Sequence, residues 1–152
     1  NWNLLTGSSQ EFKNVTIQKD HYYPGYEFEK EYDFPVTFSA FVVNKSDMDI
    51  LVHMDGKGID ADSNIIKANS SCRISVSNPM TLGVFFTTVN KVKATSDIVL
   101  QVKEEKLETG LIATPWMPAI SDLMFKNQNG GVRQPAKPLV SMLYVPSEME
   151  VA

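Results

Sequence analysis

Stacking against a sugar ring needs flat apolar faces, and holding its hydroxyls needs planar polar side chains beside them. Tyr22, Tyr23 and Tyr26 place three rings within five residues, in a stretch turned by Pro24-Gly25. Further along, His53, Arg73 and Gln101 fall on the outward phase of alternating segments, and Phe85 shares that phase. A concave sheet carrying such groups suits a shallow polysaccharide groove. Tyr22, Tyr23, His53, Arg73, Phe85 and Gln101 are therefore the candidate ligand-binding set. Burial in the core is the competing and better-favoured reading of Tyr26 and Phe85, and an ordinary surface position that of His53 and Arg73.

Catalysis finds less material. The histidines, His21 and His53, stand in no ligand pattern such as H-x-x-x-H, and the single Cys72 excludes a cysteine-based zinc site. No G-x-S-x-G, phosphate-binding or dinucleotide-binding glycine pattern occurs. No acid pair can be singled out of eighteen carboxylates for glycoside hydrolysis. The chain is read as a non-enzyme. Asp55-Gly56-Lys57-Gly58-Ile59-Asp60-Ala61-Asp62 is the best calcium lookalike, with Asp55, Asp60 and Asp62 as oxygen donors. It departs from EF-hand spacing and contains a lysine, so a solvated acidic turn is favoured. No metal or other cofactor is assigned.

The elements that must position these groups are short strands. Asn14–Gln18, Tyr26–Lys30, 36–43, Met48–Asp55, Ser71–Ser77, Thr81–Thr88 and Asp97–Lys103 are the predicted strands, bounded by turn residues. Met48, Ile50, Val52 and Met54 share one face, against Asp49, Leu51, His53 and Asp55. Cys72, Ile74 and Val76 are expected inward, as are Ile98, Leu100 and Val102. Many short strands at 8–12-residue spacing imply an all-β antiparallel β-sandwich or jelly roll. Residues 119–152 differ: Pro135, Pro138 and Pro146 forbid long elements, although Pro138–Val145 could pair as one strand. They read as a C-terminal extension or linker after a module at 1–118, with a tail folded back on its own sandwich as the alternative.

The bulk numbers agree. The 152 residues suit one domain, and 43% hydrophobic with 21% charged residues is an ordinary globular balance. A net charge of −4 without a Lys/Arg cluster argues against nucleic acid as a partner. No apolar run is long enough to span a bilayer and no signal-peptide pattern stands at Asn1, so no membrane is expected. One cysteine permits no internal disulfide, in keeping with assembly in a reducing cytosol.

Three blocks carry a resemblance. Asn3-Leu4-Leu5-Thr6-Gly7-Ser8-Ser9-Gln10-Glu11-Phe12 opens the chain, Val36-Thr37-Phe38-Ser39-Ala40-Phe41-Val42 lies in its middle, and Lys106-Leu107-Glu108-Thr109-Gly110-Leu111-Ile112-Ala113-Thr114-Pro115-Trp116-Met117-Pro118 closes it. In order and spacing they resemble the opening, aromatic-rich strand and closing motif of carbohydrate-binding-type β-sandwich modules. Those modules occur in tail, baseplate and receptor-binding proteins of phages infecting Gram-positive bacteria. The resemblance implies a galactose-binding-like jelly roll over residues 3–118. The implied role is non-catalytic recognition of host cell-wall saccharide during adsorption. It also implies host cell-surface polysaccharide and other phage tail subunits as partners, a homo-oligomer through the parent protein, and a place in the virion tail after assembly in the host cytoplasm. It leaves the ligand residues open, makes Glu108 a candidate for a structural calcium, and casts Trp116 as packing rather than a ligand platform. The alternative reading is a purely structural decoration module of the tail, and a third is a glycan-active enzyme.

Overall fold

Alternation of apolar and polar residues dictates strands with one buried face, and among the described residues seven strands form, all but the two-residue Ala61–Asp62 with buried positions. The computed structural model describes residues 1–123. In chain order they are β1 (Lys13–Ile17), β2 (Val36–Asn44), β3 (Ile50–Gly56), β4 (Ala61–Asp62), β5 (Ser70–Asn78), β6 (Thr81–Thr88) and β7 (Ile98–Thr109). They build two antiparallel sheets, one ordered β1-β7-β2-β5 and the other β4-β3-β6. The chain is an antiparallel β-sandwich. Phe38, Ile74, Leu100 and Leu107 of the first sheet and Ile50, Met54 and Phe86 of the second are buried in the core. The 119–152 extension lies outside the described residues from 124 onward, and with it the Pro138–Val145 strand.

Parity along β7 changes at a bulge. Ser39 pairs with Lys106 but Phe41 pairs with Lys103, so Glu104 and Glu105 together face Ala40. Glu104 takes a positive φ of 58°, the left-handed conformation such an insertion requires. Upstream, Ile98, Leu100 and Val102 point inward; downstream, Glu105 and Leu107 do. Simple alternation would have turned Leu107 outward.

The three sequence blocks meet around Leu107. Asn3 is buried; its side chain donates to the Glu105 carbonyl and accepts from the Leu5 and Leu107 amides. Leu107 also pairs with Phe38 of β2. On the other face of β7, Lys106 and Glu108 have side chains only 1% and 0% exposed, with Nζ and Oε1 3.5 Å apart. The exit segment roofs them: Thr114 donates its amide and hydroxyl to the Glu108 carboxylate, and Lys106 donates to Thr114 Oγ1 and the Pro115 carbonyl. Glu108, the resemblance's calcium candidate, spends its oxygens on these internal bonds. Trp116 is half-buried, its indole N–H donating to Ser8 Oγ at 3.0 Å. Cys72 takes the inward phase but lies at the margin of the core, half-buried.

The predicted strand Tyr26–Lys30 does not form. That segment instead runs beside the free edge of β6 through single ties: Glu27 N–H to Val84 O, Val84 N–H to Phe28 O, and Tyr32 N–H to Thr81 O. Pro24 and the positive-φ Gly25 shape its beginning, and only Phe28 forms a ladder bridge, to Val84.

Candidate functional site

Sheet register brings the site together. His53 in β3 pairs across to Phe85 in β6 on one side and to Asp62 in β4 on the other. Asp55 lies two residues beyond His53, on the same outward face. The 18–34 segment then lays its tyrosines along this face. Together Tyr22, Tyr23, Tyr26, His53, Asp60 and Phe85 line an open pocket of about 430 Å³, a volume within the range of ligand sites.

Phe85 is the hub of its aromatic wall. Ring centroids of Tyr23, Tyr26 and His53 lie 4.9, 5.1 and 5.2 Å from that of Phe85, and Tyr22 stacks on Tyr23 at 5.1 Å. Tyr26 is 38% exposed and Phe85 is half-buried on the outward face. The core assignment of both is therefore corrected: the edge position of the 22–32 segment keeps Tyr26 outside the sandwich. Gly83 makes the arrangement fit, since a Cβ there would stand 2.9 Å from the Tyr26 ring and from the Phe28 carbonyl.

Three carboxylates surround the imidazole. His53 Nδ1 lies 2.7 Å from Asp62 Oδ1, and Nε2 lies 3.0 Å from Asp55 Oδ1 and 3.4 Å from Asp60 Oδ2. Both ring nitrogens of His53 thus lie within reach of carboxylate oxygens, which only accept. Asp55 also accepts the Tyr26 hydroxyl. That bond, aided by burial and the Asp55 charge, pushes the Tyr26 phenol up to about 12. The Gly56 amide donates to Asp60 Oδ1, and Gly56 admits no side chain, because a Cβ would stand 1.8 Å from the Ile59 carbonyl. His53, Asp55 and Asp60 carry potential ligand atoms within 4.8 Å of one another. The pocket hydroxyls of Thr87 and Thr88 donate to the Thr88 and Val92 carbonyls.

The six sequence candidates divide four to two. Tyr22, Tyr23, His53 and Phe85 share the pocket; Arg73 in β5 and Gln101 in β7 belong to the other sheet. Arg73 is engaged there by Glu104 and lies over the Phe41 ring, 5.8 Å from its centroid. The common outward phase was read correctly, but outward from one sheet is the opposite side of the molecule from outward on the other. Sequence reasoning did not join Tyr26, Asp55, Asp60 and Asp62 to the site. The acidic turn was visible as a turn, and only the β3–β4 pairing delivers it to His53. Asn90 and Lys91, which also line the pocket, carried no signal; both adopt positive φ just after β6.

Fold and pocket together define the class: an antiparallel β-sandwich with an aromatic, acid-lined pocket on its smaller sheet. No protein-family model matches the sequence. No curated protein matches it either. Among solved structures, the fold is similar to the tripod from the baseplate of bacteriophage Tuc2009, at a TM-score of 0.48 and 20% identity over 80% of this chain. This chain spans 60% of the length of that one. It is also similar to the C-terminal domain of EclA, a sugar-binding protein, at a TM-score of 0.44 and 14% identity, covering 69% of this chain and 84% of that one. Both likenesses concern the fold alone.

Proposed function

We propose that the chain is a non-catalytic binding module of a phage tail or baseplate protein, and that its pocket recognises host cell-wall saccharide. The observation that carries this reading is the pairing of apolar ring faces at Tyr22, Tyr23, Tyr26 and Phe85 with planar acceptors at Asp60 and Asp62 in one open pocket. Rings supply contact area to pyranose C–H faces, and carboxylates accept from hydroxyls. The phage context is supported by the three sequence blocks within residues 3–118, which assemble into one frame around Leu107. Arg73 and Gln101 take no part in this pocket.

A shallow sugar site is typically weak, and presenting several copies raises avidity by about 10²–10⁴ without new contacts. The test is therefore a fluorescent fusion of the full chain, monomeric and oligomerised, applied to intact Gram-positive host cells and to purified wall polysaccharide. The oligomerised fusion should decorate both. Changing Tyr22 and Tyr23 together to Ala should weaken decoration while the melting temperature stays nearly unchanged. If oligomerised fusions ignore cells and polysaccharide alike, the structural-module reading replaces this one.

A further inference from the structure

The charge around the aromatic wall is one-sided. Three acids, Asp55, Asp60 and Asp62, outnumber the two basic side chains of the lining, Lys91 and His53, so the pocket is net anionic. Neutral sugars present hydroxyls that donate and accept about equally, and they place no premium on three carboxylates. Anionic wall polymers, whether phosphate-linked or uronate-bearing, would be repelled.

The acceptors are also available. The Asp60 and Asp62 side chains remain 56% and 55% exposed. Asp62 Oδ2 takes no hydrogen bond among the described residues, and Asp60 Oδ2 has only the long 3.4 Å approach of His53. Beside them stand the ring faces around Phe85, whose quadrupole attracts cations. The protein already uses this property once at the same wall: Lys91 Nζ sits over the Tyr22 ring, 5.9 Å from its centroid. An ammonium beside these rings would meet both an attractive π face and two carboxylates with spare lone pairs.

Resting on the saccharide reading and naming the ligand's class, we infer that the pocket selects a saccharide bearing a free ammonium group. That group is an amine left unacetylated on the sugar, or carried by an aminoacyl substituent. It docks against the Tyr–Phe85 wall within reach of Asp60 and Asp62, while the sugar ring covers the tyrosines. Lys91 then acts as a like charge that limits affinity for such a ligand.

The experiment titrates the oligomerised full chain with purified wall polysaccharide before and after N-acetylation of its free amines. Alongside runs a defined pair: a β-1,4-linked glucosamine oligomer and its fully N-acetylated counterpart of equal length. Acetylation should lower affinity about tenfold or more in both pairs, and the preference should shrink with added salt. Asp60→Asn with Asp62→Asn should erase the preference, and Lys91→Gln should enlarge it. Equal binding of free-amine and acetylated forms would overturn this inference and leave the saccharide reading standing. A failure to bind either form of either material would overturn both.

Discussion

The outward faces of the two sheets use similar residue types to opposite ends. On the four-stranded sheet, Phe41 pairs across with Arg73 and Lys103. Lys103 Nζ lies 4.9 Å from the Phe12 ring centroid and 5.5 Å from that of Phe41, while Arg73 is tied to Glu104. Each cation there already has a ring or a carboxylate as partner. On the three-stranded sheet the rings gather around Phe85 and the carboxylates around His53, and Asp60 and Asp62 keep unused acceptors facing solvent. The difference teaches that aromatic and charged residues mark a binding face only where their mutual partnering is incomplete. Completed cross-strand pairs stabilise a sheet; incomplete ones, gathered in a concavity, await a ligand.

Removing the hub of each face should separate them most. Phe85→Ala should weaken saccharide binding by about thirtyfold or more, the loss expected of a central anchor. Phe41→Ala should leave affinity within about twofold. Equal losses in titrations of the two variants would break the comparison outright.

Next in size is Gly83→Ala. The added methyl cannot share space with the Tyr26 ring, so that ring must leave Phe85. Overpacking of this kind costs about 1–3 kcal/mol. Denaturant unfolding should show that loss, and near-ultraviolet circular dichroism should show the altered tyrosine environment. Unchanged tyrosine signals would mean that the wall does not depend on this close approach.

A third test concerns what ties the two faces together. Glu27, beside Tyr26 in the pocket segment, and Glu105, inward from the β7 bulge, both contact Lys13 Nζ, at 2.6 and 2.8 Å. Glu105 Oε2 is buried with no hydrogen-bond partner among the described residues. Burial, reinforced by the adjoining Glu27 carboxylate, pushes Glu105 up to about 8 against the pull of Lys13. Burial pushes Glu27 up as well, but its hydrogen bonds and Lys13 outweigh that and hold it below the ordinary carboxylate range. The signs follow from linkage. A raised Glu105 adds stability that is full below the unfolded value near 4.5 and is lost as pH rises through about 8. A lowered Glu27 adds stability that is lost as pH falls through its depressed value. The melting temperature should therefore be highest in mild acid, decline from about pH 4.5 to about pH 8, and level off above that. Glu105→Gln should flatten that decline, and thermal melts of both proteins across pH would measure it. An unchanged slope in the variant would assign the decline to other groups.

The smallest effect is expected at Arg73→Ala. Its bridge to Glu104 is solvent-exposed on the arginine side, and pairs of this kind contribute less than about 1 kcal/mol. Stability should move by no more than that and binding not at all. A clear loss of binding would restore Arg73 to the site and join the two faces.

The longer strands were legible in the sequence because alternation is local, although Tyr26–Lys30 alternates and forms none and the short β4 gave no signal. Ile50, Val52 and Met54 announce the buried face of β3, and His53 with Asp55 its outward face, before any contact is known. The turn at Pro24-Gly25 and the cluster of tyrosines around it were legible for the same reason. Alternation separates inward from outward without saying which sheet a strand joins. Only the pairing of β3 with β4 and β6 places Asp62 and Phe85 on either side of His53, and only the β2–β5 and β2–β7 pairings carry Arg73 and Gln101 to the other side. The bulge at Glu104 likewise has no local signature, since the partner strand decides where an extra residue is accommodated, and it sends Glu105 and Leu107 inward. Residue types and strand phases thus belong to the sequence by itself. Which rings and carboxylates meet was decided by long-range strand pairing, where hydrogen-bond register sets distances that spacing along the chain does not contain.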